Sequence, residues 1–441
     1  MDTFTLQRTI PADKEYDIII AGGGPAGTAA AIAAGRLGET VLLVEQTGCL
    51  GGMGTSGLVN AFDPMADGER QLVGGIMSEI VEEMYERSFL APQVRPDFWR
   101  KRYHCWTPFK SEGLKLVLDE KVIDAGVDVK FYTRLVEADV TGQKVNGVVI
   151  HNIEGLSYVP GRMFIDATGD AVLADLAGAE CRTNPEFMPG TLASLYGGIE
   201  WDKVDRGVEW ENLVKAIEDG YFTQRDRHLP GMSRVGDTIG YLNGGHLFNK
   251  DPLTCSGRTE GMMLGRRLAQ EYQSFYRNYL KGYENAELVC TANLMGVRET
   301  RRILGEYELT IDDYRARAQF PDQIGVFNKF VDIHVRDCSD EEYERFLEEK
   351  DKSGRLGEGE CFGLPYRILV PKGWENLWAA GRCNSSDIQV HGSIRVMPAA
   401  AMMGQAAGTA AVQSIDTGQA AFEIDTDKLR DTLAEADVIL D

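Results

Sequence analysis

The sequence predicts an α/β protein with a three-layer domain built from residues 1–179 and 365–441 and a mixed α/β domain, 180–364, inserted between them. Three observations carry this reading. The chain opens on a strand, glycine loop, helix and second strand. From about residue 180 to 364 aromatics, prolines and charges become denser and no further strand-then-glycine-loop unit occurs. Near residue 375 strand-like and small-residue segments return, as though rejoining the first domain. A chain of 441 residues has material for two packed domains.

The opening unit is YDIIIAGGGPAGTAAAIAAGRLGETVLLVEQ. Tyr16 to Ala21 is a continuous apolar run of strand length, residues 25–37 are alanine-rich and helical, and Thr40 to Glu45 is a second apolar run. Gly22, Gly24 and Gly27 form GxGxxG between strand and helix, with Pro25 and Ala26 in the turn. Without Cβ atoms the first two allow the turn and a close approach to a pyrophosphate, and the third lets helix and strand pack. The phosphates then meet unpaired N–H groups and the positive end of the helix dipole. Glu45, 23 residues after Gly22, is placed for the hydroxyls of an adenosine ribose. An acid there disfavours a 2′-phosphate. Together these features describe a Rossmann-like dinucleotide site.

Downstream, LKLVLDEKVIDAG (114–126) reads as a helix and VDVKFYTRLVEADV (127–140) as strand material that includes Val136. A hairpin-like pair then returns to the sheet through KVNGVVIHNIEGLSYVPGRMFIDATG, with turn signals at Asn146-Gly147 and Glu154-Gly155. In the inserted region, residues 338–360 are so charged that they read as a solvated helix and loop.

The chain is 43% hydrophobic and carries a net charge of -22, which argues against nucleic acid or an anionic membrane as partner. Nothing resembles a signal peptide or a membrane span, so a cytoplasmic protein is expected. The eight cysteines lie at least 22 residues apart, so no CxxC pair exists to hold zinc or exchange disulfides, and no metal is expected; reduced, mostly buried thiols are.

Three separated stretches, GGGPAG with Glu45, FIDATGDAVLADLAGA (164–179) and ENLWAAGRCNSSDIQVHGSIRVMPAAAMMGQAAGTAA (375–411), together resemble the FAD-dependent oxidoreductases with a glutathione-reductase-type FAD-binding fold. The resemblance implies noncovalent FAD. Gly51, Gly52 and Met53 would lie along the flavin, Ala167, Thr168 and Gly169 beside the cofactor, and Gly381 and Arg382 near its ribityl chain and pyrophosphate. Val136 and Gln405 are further cofactor candidates. A helix starting near Pro398 would point its positive end at the flavin. Cys49 has no partner cysteine nearby, which speaks against a disulfide reductase. No second GxGxxG follows a strand, so a separate electron acceptor or donor is implied. Self-association is left open.

VHGSIRV (390–396) is similar to the His-Gly-x-x-Arg element of succinate dehydrogenase and fumarate reductase flavoproteins. That likeness makes Arg395 a candidate carboxylate clamp and His391 a proton-handling donor; alternatively both brace the cofactor loop. Arg298, Arg301 and Arg302 fall within one and a third turns if helical, and either bind an anion or pair with nearby glutamates. His104, Cys105 and Trp106 in RYHCWTP, and His246 in NGGHLFN, are weaker candidates beside ordinary packing. The function implied is hydride exchange between flavin N5 and a small, carboxylate-bearing substrate at the domain interface. An oxygen-using oxidase or monooxygenase, or an electron-transfer subunit without a substrate of its own, is the alternative.

Overall fold

The computed structural model describes residues 3–352 and 354–441, so residue 353 of the charged stretch lies outside the described residues. The opening unit forms as expected: strand β1 (Tyr16–Ala21), helix α1 (Pro25–Arg36) and strand β2 (Val41–Val44). Strands β3 (Asp128–Lys130), β4 (Arg134–Thr141), β5 (Lys144–Asn152), β6 (Gly155–Asp166) and β7 (Leu377–Ala379) complete a seven-stranded sheet. β3, β2, β1 and β6 run in parallel, with Ile18 opposite both Val41 and Met163.

β6 does two jobs. Its first half pairs antiparallel with β5, and its second half lies parallel between β1 and β7. Leu377 aligns with Phe164, so a segment more than 200 residues away completes the sheet begun at the N-terminus. Burial on both faces explains why these strands read as unbroken apolar runs rather than alternating ones.

One predicted turn is corrected. Asn146-Gly147 lies inside β5, and the reversal falls at Gly142, whose φ is +65°. Gly147 is instead a packing glycine, because a Cβ there would stand 2.4 Å from the Tyr158 hydroxyl. The second turn holds, with Gly155 at φ +107°. The helix expected at 114–126 spans Ser111–Asp124.

The inserted region is mixed α/β. Ser233–Arg234, Gly240–Leu242, Ser194–Gly197 and Glu287–Thr291 form a four-stranded antiparallel sheet in that order. The 25-residue helix α2 (Cys255–Tyr279) packs against it through a core containing Tyr196, Tyr272, Phe275 and Tyr276. The expected solvated helix is α3 (Asp340–Lys352). Towards the end of the insertion, Tyr314, Phe327, Phe362 and Leu364 bury themselves in the same apolar cluster as the alanines of α1.

VHGSIRV is helical as far as Ile394: α4 (Ile388–Ile394) is capped by Asp387, which accepts from the backbone N–H groups of Gln389 and Val390, and Arg395 and Val396 link it to the next helix. Helix α5 (Met397–Thr417) follows with proline in its first turn. Conversely, residues 298–301 are not helical, and Arg302–Ile303 form a short strand against Cys181–Arg182. The three arginines therefore share no face. All eight cysteines are free, but only Cys383 is buried and Cys255 and Cys290 are exposed, so the expectation of mostly buried thiols is corrected. Among the described residues no helix is long and apolar enough to cross a membrane.

α1 and α5 touch backbone to backbone. A Cβ on Gly404 would stand 1.9 Å from the Ala26 carbonyl oxygen, and one on Gly408 2.4 Å from that of Ala30. Gly404→Ala should therefore force the helices apart and cost about 1–3 kcal/mol, seen as a lower denaturant midpoint at unchanged slope.

Candidate cofactor and substrate site

A cavity of about 1270 Å³ opens at the C-terminal ends of β1, β2, β6 and β7 and extends to the wall of the inserted region. Ligands of open α/β sheets bind at these strand ends. Pockets for one small ligand hold roughly 300–1,000 Å³, so this volume accommodates a large ligand together with a smaller one.

At its first end the lining includes Gly22, Gly24, Pro25, Ala26, Glu45, Gly52, Met53, Ala167, Thr168, Gly169, Gly381 and Arg382. The three fingerprint glycines differ in what requires them. Gly22, at φ +98°, would place a Cβ 2.6 Å from the Ala167 carbonyl oxygen, and Gly27 would place one 1.8 Å from that of Gly22. A Cβ on Gly24 would meet no protein atom within 4 Å, although the residue caps α1 and lines the cavity. Space kept clear at a helix N-terminus suits an approaching diphosphate. Buried Glu45 accepts from the backbone N–H of Gly23 at 2.7 Å and of Thr47 at 2.7 Å, which holds it at the cavity wall.

Four expected cofactor residues stand back from the cavity. Gly27 and Gly51 act through packing, the latter with a Cβ position 2.7 Å from Thr55 Cγ2. Val136 is 45% exposed on β4, whereas Thr133, Arg134 and Leu135 line the cavity. Gln405 is buried and accepts from the Ile76 N–H at 2.9 Å. None of the four is part of the cavity lining.

Two positive features face this end. Arg382 and Arg258 both bind Asp170, leaving the trio one positive charge in excess. Burial alone would raise the Asp170 pKa, but the two guanidiniums hold it below the usual carboxylate value. Val396, Met397 and Ala400 line the cavity, so the N-terminus of α5 opens into it, as expected of the helix near Pro398. The residues present thus fit a dinucleotide.

The second end alters the substrate candidates. His391 is fully buried outside the cavity lining, its Nε2 2.8 Å from the Arg382 carbonyl oxygen. Burial, reinforced by Arg302, drives its pKa well below the ordinary imidazole value. It braces the Arg382 turn and is not placed to exchange a proton with a ligand. Arg395 does line the cavity, but its Nη2 donates to the Asp332 carboxylate at 2.9 Å. Arg301 pairs with Asp175 and Arg302 with Glu299. Arg298 differs. It is 6% exposed, lines the cavity, and among the described residues has one hydrogen-bond partner, the Pro189 carbonyl oxygen at 2.5 Å. Burial, then the nearby Arg395 charge, pushes its pKa down to about 9. A guanidinium so desolvated and without a paired carboxylate gains from an incoming anion.

Beside it stand groups that sequence reading missed or ranked low. His228, His246 and His334 all line the cavity, as do Asp332 and Lys329, the last donating to Asp63. Of the weaker candidates, Trp106 lines the cavity, while His104 stacks on Tyr103 with its pKa lowered to about 4, chiefly by burial. His228 and His334 sit in no local motif, and their meeting follows from the fold alone.

The family model described as FAD dependent oxidoreductase matches residues 17–433. Among solved structures, a geranylgeranyl bacteriochlorophyll reductase-like protein from Thermoplasma acidophilum is 13% identical, with 96% of this chain and 83% of that one covered at a TM-score of 0.47. The flavin-dependent brominase Bmp2 is 14% identical, with 95% and 84% covered at a TM-score of 0.46. A flavoprotein/dehydrogenase from Cytophaga hutchinsonii is 14% identical, with 96% and 83% covered at a TM-score of 0.43.

Because no described atom lies within 4 Å of a Cβ built on Gly24, Gly24→Ala should still fold, at the cost of a poorer helix N-cap alone. Its side chain would project where a diphosphate approaches, so the purified variant should lack most of the absorbance near ~450 nm that a flavin gives.

Proposed function

Because the chain belongs to the FAD dependent oxidoreductase family, whose model spans residues 17–433, we propose that it oxidises or reduces a small carboxylate-bearing substrate bound at Arg298. Bound FAD supplies the redox chemistry, accepting or returning two electrons as hydride. The observation that carries the substrate class is Arg298: a buried guanidinium on the cavity wall with, among the described residues, one backbone carbonyl as partner. A carboxylate would complete its hydrogen bonds and its charge together.

In this reading the clamp moves from Arg395, already paired with Asp332, to Arg298, and Arg395 holds Asp332 in place. The cofactor wall comes mainly from residues 1–179 and 365–441, joined by Arg258, and 180–364 supply most of the substrate wall, with His228, His246, Arg298 and His334 beside Arg395. FAD is held noncovalently. The first hundred residues contain no histidine to tether it, and the Cys49 Sγ lies within hydrogen-bonding distance of Ser56 Oγ at 3.2 Å. Acid precipitation should therefore release the flavin into the supernatant.

A second reading concerns what reoxidises the flavin. Lys329 is 3% exposed on the same cavity wall, a fixed cation that would stabilise negative charge developing on dioxygen as it takes up an electron. This supports an oxidase or monooxygenase. Reoxidation of the photoreduced protein by air, slowed in Lys329→Met, would bear it out; equally slow reoxidation of both proteins would remove it.

For the clamp, Arg298→Gln should raise KM for carboxylate substrates about 10–100-fold, the loss of a charge-assisted hydrogen bond worth roughly 1.5–3 kcal/mol. Flavin content should be unchanged. Loss of flavin together with activity would place Arg298 in cofactor binding instead.

A further inference from the structure

Two of the cavity's histidines are joined end to end between carboxylates. The His246 backbone N–H donates to Asp226 at 2.9 Å, and its ring Nδ1 lies 3.1 Å from the same carboxylate. Its other nitrogen, Nε2, is 2.9 Å from Nδ1 of His334. On the far side His334 Nε2 faces Asp332 at 3.5 Å, and Asp332 is held by Arg395. The sequence of groups is thus carboxylate, imidazole, imidazole, carboxylate.

Counting protons along this line has a consequence. A carboxylate only accepts, so His246 Nδ1 carries a proton toward Asp226 and the inter-ring contact holds a second, donated by His334 Nδ1. Two protons on four nitrogens leave both rings neutral at rest, in keeping with the burial that drives the His334 pKa well below the ordinary imidazole value, and leave His334 Nε2 as the open acceptor facing Asp332. The structure assigns His246 and His334 as a proton-sharing imidazole pair that exchanges one proton with the substrate, an inference that rests on the carboxylate-substrate reading above.

The longest contact, His334 Nε2 to Asp332, marks the open end of the line, and His334 lines the cavity. In the oxidative direction a substrate O–H or N–H bond breaks and its proton joins His334 Nε2; the inter-ring proton then moves from His334 Nδ1 to His246 Nε2, so the one positive charge gained is shared between the rings, and the C–H bonding pair leaves as hydride to the redox cofactor. In the reductive direction the steps reverse and both rings end neutral. Asp226 and Asp332 set the orientation of the rings and do not themselves change charge.

Other groups face the pair. Asp226 also accepts from the Tyr343 hydroxyl at 3.0 Å and the His228 N–H at 3.0 Å. The His228 ring stacks on His246 with centroids 4.8 Å apart, and its Nδ1 is buried without a partner among the described residues. Arg298 and Arg395 supply positive charge on the cavity side. The three imidazoles also have nitrogen atoms within 4.8 Å of one another, a group that could hold a metal ion. Zn–N bonds of about 2.0–2.1 Å put even opposed ligands within roughly 4.2 Å, while the 2.9 Å inter-ring distance is an ordinary hydrogen bond.

The test uses full-length, FAD-loaded protein labelled with ¹⁵N-histidine. At neutral pH the ring nitrogens of His246 and His334, assigned by loss of signals in His246→Gln and His334→Gln, should report one N–H each, at Nδ1. An Nε2–H on either ring of the resting protein would overturn the pair, and this outcome is independent of whether Arg298 binds carboxylates. His334→Gln should slow flavin reduction by substrate about 100-fold or more, remove one limb of its pH profile, and leave carboxylate affinity and flavin content unchanged. An unaltered pH profile would overturn the proposal. So would stoichiometric retention of Zn²⁺ or Co²⁺ after gel filtration that disappears in His334→Gln, which would make the cluster a metal centre.

Discussion

The architecture depends on how closely other backbone can approach helix α1. The glycine loop that leads into it is crossed by the Ala167 carbonyl at Gly22, and its flank is met by α5 at Gly404 and Gly408. Each contact leaves no room for a side chain. Alanine at 26, 29, 30, 31, 33 and 34 keeps the rest of the surface low enough for the same approach. The dispersion gained between such close surfaces is individually small and collectively large. Its effect is geometric: α1 and α5, whose N-termini both open onto the cavity, are locked in fixed relative position, so their positive ends face the cavity from two directions.

The cavity is electrically divided. At the cofactor end charge comes from helix termini and from two arginines sharing Asp170. Such charge is diffuse and preorganised, as diphosphate binding requires. At the substrate end it is concentrated on single groups: Arg298 with its lone carbonyl partner, Lys329 with Asp63, and Arg395 with Asp332. Pairing immobilises the last two and leaves Arg298 as the cation most in want of a counter-charge. The imidazole pair lies between carboxylates on that same wall, where a proton can be held close to an anion without an exposed charge.

Legibility followed the range of the contacts. The βαβ unit, the helix at Met397–Thr417 and the glycine loop at 51–53 were readable because each rests on strand or helix periodicity and backbone freedom within some thirty residues. Errors arose where a short-range signal was outweighed by a distant partner. Asn146-Gly147 has turn chemistry, but the Tyr158 ring opposite makes Gly147 a strand residue. His391 carries a suggestive motif, yet α4 turns its ring onto the Arg382 carbonyl. Val136 is on the expected strand, but the residues just before it line the cavity.

By itself the sequence determined the nucleotide half of the protein, because a phosphate cradle is made of consecutive backbone atoms and the glycines that permit it must be neighbours. The substrate half was decided only by the tertiary structure. His334 meets His246 across 88 residues, and Arg298 is drawn to the cavity wall by the Pro189 carbonyl 109 residues before it. Contacts at such separation leave no periodicity and no spacing in the chain, since the packing of the inserted sheet and α2 against the first core, rather than local backbone preference, sets where those side chains arrive.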